Sequence, residues 1–190
     1  KSLYKYHAKE AISSSNLTEE FLHSLKQSST DYIIFTIGHC DCSICKDISN
    51  DLVNRKLNAL CYYFDVTKHA HNQLLSQALC TKYFPTTYIL DNRMNLMGIV
   101  LGNRDREKKI LKTCFTRTNH TRIKIEDVGE EHVMQLLSYS LHALFCGIKK
   151  EVDSLEKYAR KSLEKGDYFF NNYLMFRVFT KKQDQDSIRK

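Results

Sequence analysis

Hydrophobic positions divide the chain into segments of two different periods. In "SNLTEEFLHSLKQ" the apolar residues Leu17, Phe21, Leu22 and Leu25 recur at helical spacing, with Thr18 as cap and Glu19 and Glu20 at the positive helix end. "DYIIFTI" follows as a nearly unbroken run of β-branched and aromatic residues, the pattern of a central strand covered on both faces. Ile44, Ile48, Leu52, Val53, Leu57 and Leu60 then return to helical spacing and predict one long amphipathic helix. "CYYFDV" (Cys61 to Val66) reads as a second buried strand, so a right-handed crossover with parallel strands is expected.

His71 to Lys82 is helical in pattern, with Leu74, Leu75, Ala78 and Leu79 apolar. Tyr83–Leu90 and Leu96–Leu101 are strand-like and flank the turn residues Asp91-Asn92-Arg93, which predicts an antiparallel hairpin. Arg104 to Phe115 adds a helix packed by Ile110 and Leu111.

From about Glu126 the period is helical throughout. Val133, Leu137, Leu141, Leu144, Ile148, Val152, Leu155, Ala159 and Leu163 form one apolar stripe, and Gly166-Asp167 separates it from "YFFNNYLMFRVF". Two antiparallel helices, a helical hairpin, are expected here. "ARKSLEKGDYFFNNYL" is similar to a tetratricopeptide-type helix pair, but a single unit makes no repeat; a helical tail over one face of the domain or a dimer contact is the plainer reading. The organisation expected is an N-terminal extension (1–16), an α/β domain (17–125) and a C-terminal helical extension (126–190).

Composition narrows the picture. The chain has 190 residues, 42% hydrophobic and 27% charged, a globular balance. No apolar run approaches the roughly 20 residues needed to cross a bilayer. The first residue is Lys1, as in a processed or trimmed chain. Asn16-Leu-Thr and Asn119-His-Thr match the glycosylation sequon, which matters only in a eukaryotic secretory setting. Net charge is +7, and Arg104, Arg106, Lys108, Lys109, Lys112, Arg117, Arg122 and Lys124 oppose only Asp105 and Glu107 within one stretch. No nucleic-acid-binding motif accompanies this strip, so a solvated surface is expected rather than a nucleic-acid partner.

Cysteine usage raises the chemical question. Seven cysteines is an odd count, and "GHCDCSICK" gathers Cys40, Cys42, Cys45 and His39 where the first strand gives way to a helix. Unpaired N–H groups at such a junction favour a thiolate at Cys42, whose pKa in such settings falls from about 8.5 to roughly 3.5–7.5. Cys45, one turn further in, is near enough to close a disulfide and is expected to be more buried. The spacing suits two-step exchange, with Cys42 attacking and Cys45 resolving. His39 and Lys46 add positive charge nearby and Asp41 opposes it. CxxC also serves structural zinc, for which His39, Cys40, Cys42 and Cys45, with His69 or His71, offer enough ligands. Cys61, Cys80, Cys114 and Cys146 read as small buried hydrophobes, and His69 and His71 as solvated. Phosphate loops, nucleophile-elbow serines and His-Glu-x-x-His are absent from the sequence.

From Leu17 to Phe115 the chain resembles the thioredoxin-fold thiol–disulfide oxidoreductases: a hydrophobic strand, CxxCK opening a helix, a βα unit, then "YFPTTYIL" and a hairpin ending in Gly102. The resemblance implies a central mixed sheet flanked by helices. It also implies a cis bond before Pro85, the chain's single proline, which lies against the redox cysteines, and a substrate chain that pairs with the backbone of Phe84. Cys42 and Cys45 are then the catalytic residues, Phe84 and Pro85 the substrate-binding ones, with no metal or cofactor. Protein thiols and disulfides and an unknown redox partner are the partners. Together with the trimmed start and helical tail, the likeness points to a bacterial extracytoplasmic protein of the periplasm or cell envelope. Departures from the family pattern are Asp41 in place of the tryptophan before the first cysteine, Ser43-Ile44 in place of Gly-Pro, and Thr36 as the nearest candidate for the buried acid. A non-catalytic binding module using the helical tail, or a thiol-based metal carrier, are the alternatives.

Overall fold

The computed structural model describes residues 14–118, 128–167 and 169–188. Helix α1 (Glu19–Lys26) starts at Thr18, whose hydroxyl accepts the Phe21 N–H at 3.2 Å, and it buries Leu22 and Leu25. Strand β1 (Tyr32–Gly38) is buried at every position. It pairs in parallel with β2 (Ala59–Asp65) and antiparallel with β3 (Thr86–Asp91), which in turn pairs antiparallel with β4 (Leu96–Leu101). The sheet order is β2-β1-β3-β4. Helix α2 (Asp51–Lys56) lies in the β1–β2 crossover, α3 (Ala70–Ala78) follows β2, and α4 (Arg106–Thr118) follows β4.

The two faces of the sheet carry different cores. Ile33, Phe35, Ile37, Phe64, Tyr88 and Leu90 pack with α1, α3 and Leu137, Leu141 and Leu144 of α5 (Val128–Ile148) in one continuous cluster. On the other face Tyr32, Ile34, Ile89 and Val100 meet Val53 and Leu57 of α2 and Ile110 and Cys114 of α4. The C-terminal extension thus joins the core of the sheet.

Three expectations need correction. The apolar stripe from Val133 to Leu163 is not one helix: α5 ends and α6 (Val152–Leu163) begins around Lys149–Glu151, and α7 (Phe169–Ile188) follows, so the extension has three helices rather than two. Lys150 adopts φ +60, the Lys150 N–H donates to the Gly147 carbonyl and the Glu151 N–H to the Cys146 carbonyl, the paired bonds of a left-handed helix stop. Lysine carries this stop where glycine is usual, and both helices bury the same stripe, so neither composition nor period marks the break. The same geometry ends α3: Cys80 has φ +49, with Cys80 N–H bonded to Gln77 and Thr81 N–H to Ser76. Cys80 is therefore exposed rather than a buried hydrophobe, and Cys61 is only half-buried, while Cys114 and Cys146 are buried as expected.

The expected helix from Ile44 to Leu60 is also interrupted. A 3₁₀ helix covers Ser43–Asp47, Ile48 is extended, α2 occupies six residues, and Leu60 lies on β2. Ile44 and Leu52, apolar by period, are 53% and 49% exposed. Residues 1–13 and 119–127, which include Asn119, Arg122, Lys124 and the boundary expected after 125, lie outside the described residues.

Candidate redox site

Strand β1 ends at Gly38, and the Tyr63 ring of neighbouring β2 lies directly over it. A Cβ at Gly38 would stand 2.3 Å from the Tyr63 phenol oxygen, so only glycine admits the ring there. Beyond it, the Cys42 N–H donates to the His39 carbonyl at 3.0 Å and closes a turn with Cys40 and Asp41 at its tip. Cys42 caps the short 3₁₀ helix, its Sγ accepting the Cys45 N–H at 3.1 Å. Cys42 and Cys45 are joined in a disulfide with Cα atoms 5.3 Å apart.

The two sulfurs differ in access. Cys42 is half-buried, whereas Cys45 is 2% exposed and packs with Ile48 and Tyr63; Cys42 and Phe84 close this small cluster from outside. The Phe84–Pro85 bond is cis, Pro85 is buried, and its carbonyl accepts the Gly102 N–H at 2.8 Å. The Phe84 ring lies 5.8 Å from the His39 ring. The structure therefore gathers Cys42, Cys45 and Phe84 at the end of the sheet where β1 stops, with Pro85 following Phe84.

Five residues of 3₁₀ helix give Cys42 one N–H rather than the long helix terminus expected from the apolar spacing. The break has a visible cause. Arg106, at the start of α4 and 4% exposed, donates to the Ser49 carbonyl (3.3 Å), an acceptor a continuing helix would use, and to the side-chain Oδ1 of Asn50 (3.1 Å). Its other bonds run to Thr87 Oγ1 (2.9 Å) and Thr36 Oγ1 (2.7 Å), and those hydroxyls are 3.1 Å apart. Burial lowers the Arg106 pKa from its ordinary value. Arg106 is thus not part of an exposed basic strip; Arg104, Lys108, Lys109 and Lys112 are exposed.

The proposed metal ligands are only partly brought together. Cys40 Sγ lies 3.8 Å from His39 Nδ1 and 3.5 Å from Asp41 Oδ1, all within one exposed turn, and His39 Nδ1 already accepts the Asp41 N–H at 3.2 Å. Among the described residues His39, Cys40 and Asp41 form the one such donor grouping, and neither His69 nor His71 joins it. The Cys42 and Cys45 sulfurs are bonded to each other. His71 is not simply solvated: its Nδ1 donates to the Leu17 carbonyl at 2.9 Å.

Tyr63 and Arg106 are the site residues that sequence reading missed. Tyr63 sits in a strand rich in aromatics, and only its register opposite Thr36 distinguishes it. Burial, Asp65 and Cys40 together push its phenol up to about 12, so it stays neutral. Arg106 is hidden in a basic run in which Arg104, Lys108, Lys109 and Lys112 are exposed.

Strand order, the parallel crossover, the antiparallel hairpin and the flanking helices define a thioredoxin-like α/β fold with a C-terminal helical extension, carrying a CxxC disulfide just beyond the end of β1. Among solved structures the chain is similar to reduced thioredoxin pre-protein from Schistosoma mansoni, with 20% identity over 50% of this chain and 91% of that one and a TM-score of 0.42. It is also similar to the short form of thioredoxin f from spinach chloroplast, with 19% identity, 52% and 90% coverage and a TM-score of 0.43. No family model and no curated protein matches the chain.

Proposed function

We propose that this chain is a thiol–disulfide oxidoreductase that exchanges disulfides with protein substrates through Cys42 and Cys45. The observation that carries the reading is the asymmetry of the disulfide, one sulfur reachable from solvent and the other sealed beneath Ile48 and Tyr63. A substrate thiolate attacks Cys42 Sγ, the bond to Cys45 breaks, and Cys45 leaves as a thiolate that takes up a proton. A second substrate thiolate then attacks the substrate sulfur of the mixed disulfide and releases Cys42. The protein gains two electrons and two protons, and the substrate gains one disulfide. In reverse, the dithiol reduces a substrate disulfide, with Cys45 as the resolving thiol.

Phe84 and Pro85 form the floor on which an extended substrate chain lies. Ile44, 53% exposed between the two cysteines, and Tyr83, 66% exposed next to Phe84, suit apolar substrate segments. Sulfur supplies all the chemistry and no cofactor is required. The bacterial periplasm or cell envelope goes with this reading, since exchange there meets protein disulfides. Among the described residues no helix is long and apolar enough to cross a membrane.

Turnover of a disulfide-bonded test protein by wild type, Cys42→Ser and Cys45→Ser tests the proposal. Wild type should turn over, both variants should lose at least a hundredfold, and Cys45→Ser should accumulate a mixed disulfide detectable by mass. Absence of activity in the folded wild-type protein would leave a binding module instead.

A further inference from the structure

We propose that Arg106 is a positioning residue for this exchange: its buried guanidinium, held by neutral oxygens alone, favours the thiolate that forms when the Cys42–Cys45 disulfide opens and biases the pair toward the dithiol. The inference rests on the oxidoreductase reading and gives it a direction.

A buried arginine ordinarily finds a carboxylate, because a desolvated charge is costly without one. Arg106 has two threonine hydroxyls, one carbonyl and one amide oxygen. Among the described residues none of the ion pairs includes it. Its neighbour Glu107 instead pairs with Lys56 at 2.6 Å. Asp47 and Asp105 line the groove outside Arg106 together with Lys56 and Lys108, where charges of both signs stand in solvent and are screened. Within, no carboxylate is bonded to the guanidinium, and Glu107, next to it in the chain, acts on it only through space.

Its position relates it to the sulfurs. Thr36, which takes the shortest of the four bonds, is the β1 register partner of Tyr63, and Tyr63 packs on Cys45. Ser49 and Asn50 lead the chain out of the 3₁₀ helix that holds Cys45. Thr87 stands two residues beyond Pro85. The guanidinium thus ties together the three segments that build the site. Thr36 occupies the position where the family resemblance places a buried acid, so the interior charge here has the opposite sign. A charge held inside the protein is screened far less than one in solvent, so it can act on a thiolate equilibrium from beneath the surface. Opening the disulfide still takes two electrons; the guanidinium lowers the cost of leaving sulfur unprotonated.

The test is equilibration of the full chain with defined mixtures of reduced and oxidised glutathione at alkaline pH, where the freed sulfur stays ionised rather than taking up a proton, followed by alkylation of the dithiol. Arg106→Met should lower the equilibrium constant for reduction of the protein about tenfold, equal to about 30 mV for this two-electron couple. Asn50→Asp, nearly isosteric, sets a carboxylate against the guanidinium and should lower the constant in the same direction while stability holds or rises. A merely structural arginine would not separate stability from potential in this way. A folded Arg106→Met with the wild-type constant overturns the proposal, and should that variant not fold, an Asn50→Asp protein with the wild-type constant overturns it equally. A wild-type disulfide that does not exchange with glutathione at all would instead refute the oxidoreductase reading.

Discussion

The two faces of the sheet are built from the same strands and differ in what they are made to bury. Beneath α1, α3 and α5 the contacts are almost wholly hydrocarbon and aromatic, with Phe35 edge-on to Phe64 at 5.1 Å and Phe64 edge-on to Phe21 at 5.6 Å. Beneath α2 and α4 the face is apolar only at one end, around Ile34, Ile89, Val100 and Ile110. Toward the disulfide it turns polar, with Thr36, Thr87 and Arg106 buried and bonded to one another. The first face packs hydrocarbon and rings, whereas the second holds a buried arginine at its polar end.

The largest expected effect breaks the first face alone. Phe35 is fully buried and has no polar contact to lose, so Phe35→Ala should cost about 3–5 kcal/mol, a large share of the 5–15 kcal/mol typical of a domain. Urea unfolding measures the loss. The glutathione equilibrium of the folded variant should stay at the wild-type value, because Phe35 points away from Cys45. A shifted equilibrium would mean that the two faces do not act separately.

Alkaline pH probes the second face. Burial pushes the Cys61 thiol up to about 12 and the Cys114 thiol up to about 11, from an ordinary value of 9.0. Raised pKa values mean that the unfolded chain gives up these protons first, so above pH 9 it holds fewer protons than the folded chain and unfolding becomes easier. The stability these thiols contribute is complete below pH 9 and is lost as pH rises toward 11. Cys114, with no exposed surface, should contribute a slope of about 1.4 kcal/mol per pH unit in that window. Urea midpoints from pH 8 to 11 measure it, and Cys114→Ala should flatten the curve. An unchanged slope in that variant would show that Cys61 and Tyr63 rather than Cys114 carry the effect.

Sequence legibility follows the same division. β1 could be read directly because both of its faces are covered, so almost every position is apolar and the period disappears into a run. The cysteine pair and Pro85 were legible as chemistry that a strand-to-helix junction can use, and the structure sets Phe84, the residue before Pro85, beside them. What escaped is what depends on partners distant in sequence. Ser49 looks able to continue a helix until Arg106, more than fifty positions on, takes its carbonyl and binds the Asn50 side chain beside it. Ile44 and Leu52 kept a helical period that no core enforces. Lys150 ends α5 in a left-handed conformation usually left to glycine, a choice stabilised by the packing of α6 on α5 rather than by local preference.

The smallest effect sharpens the comparison within two adjacent residues. Arg106 and Glu107 open the same helix, yet one is buried among neutral oxygens and the other joins Lys56 of α2 across open solvent at 2.6 Å, with the lysine side chain 54% exposed. An exposed pair gains little, because water solvates both partners almost as well apart and ordering two long side chains costs entropy; such pairs are worth about 0.2–1 kcal/mol. Lys56→Ala should therefore lower the urea-derived stability by less than about 1 kcal/mol, and molar salt, with a screening length of about 3 Å, should erase the difference from wild type. The shift in glutathione equilibrium expected of Asn50→Asp should survive the same salt, because low-dielectric protein rather than water separates that charge from the sulfur. If salt erased both effects alike, the charge of Arg106 would be acting through solvent, and the polar end of the second face would be a surface feature.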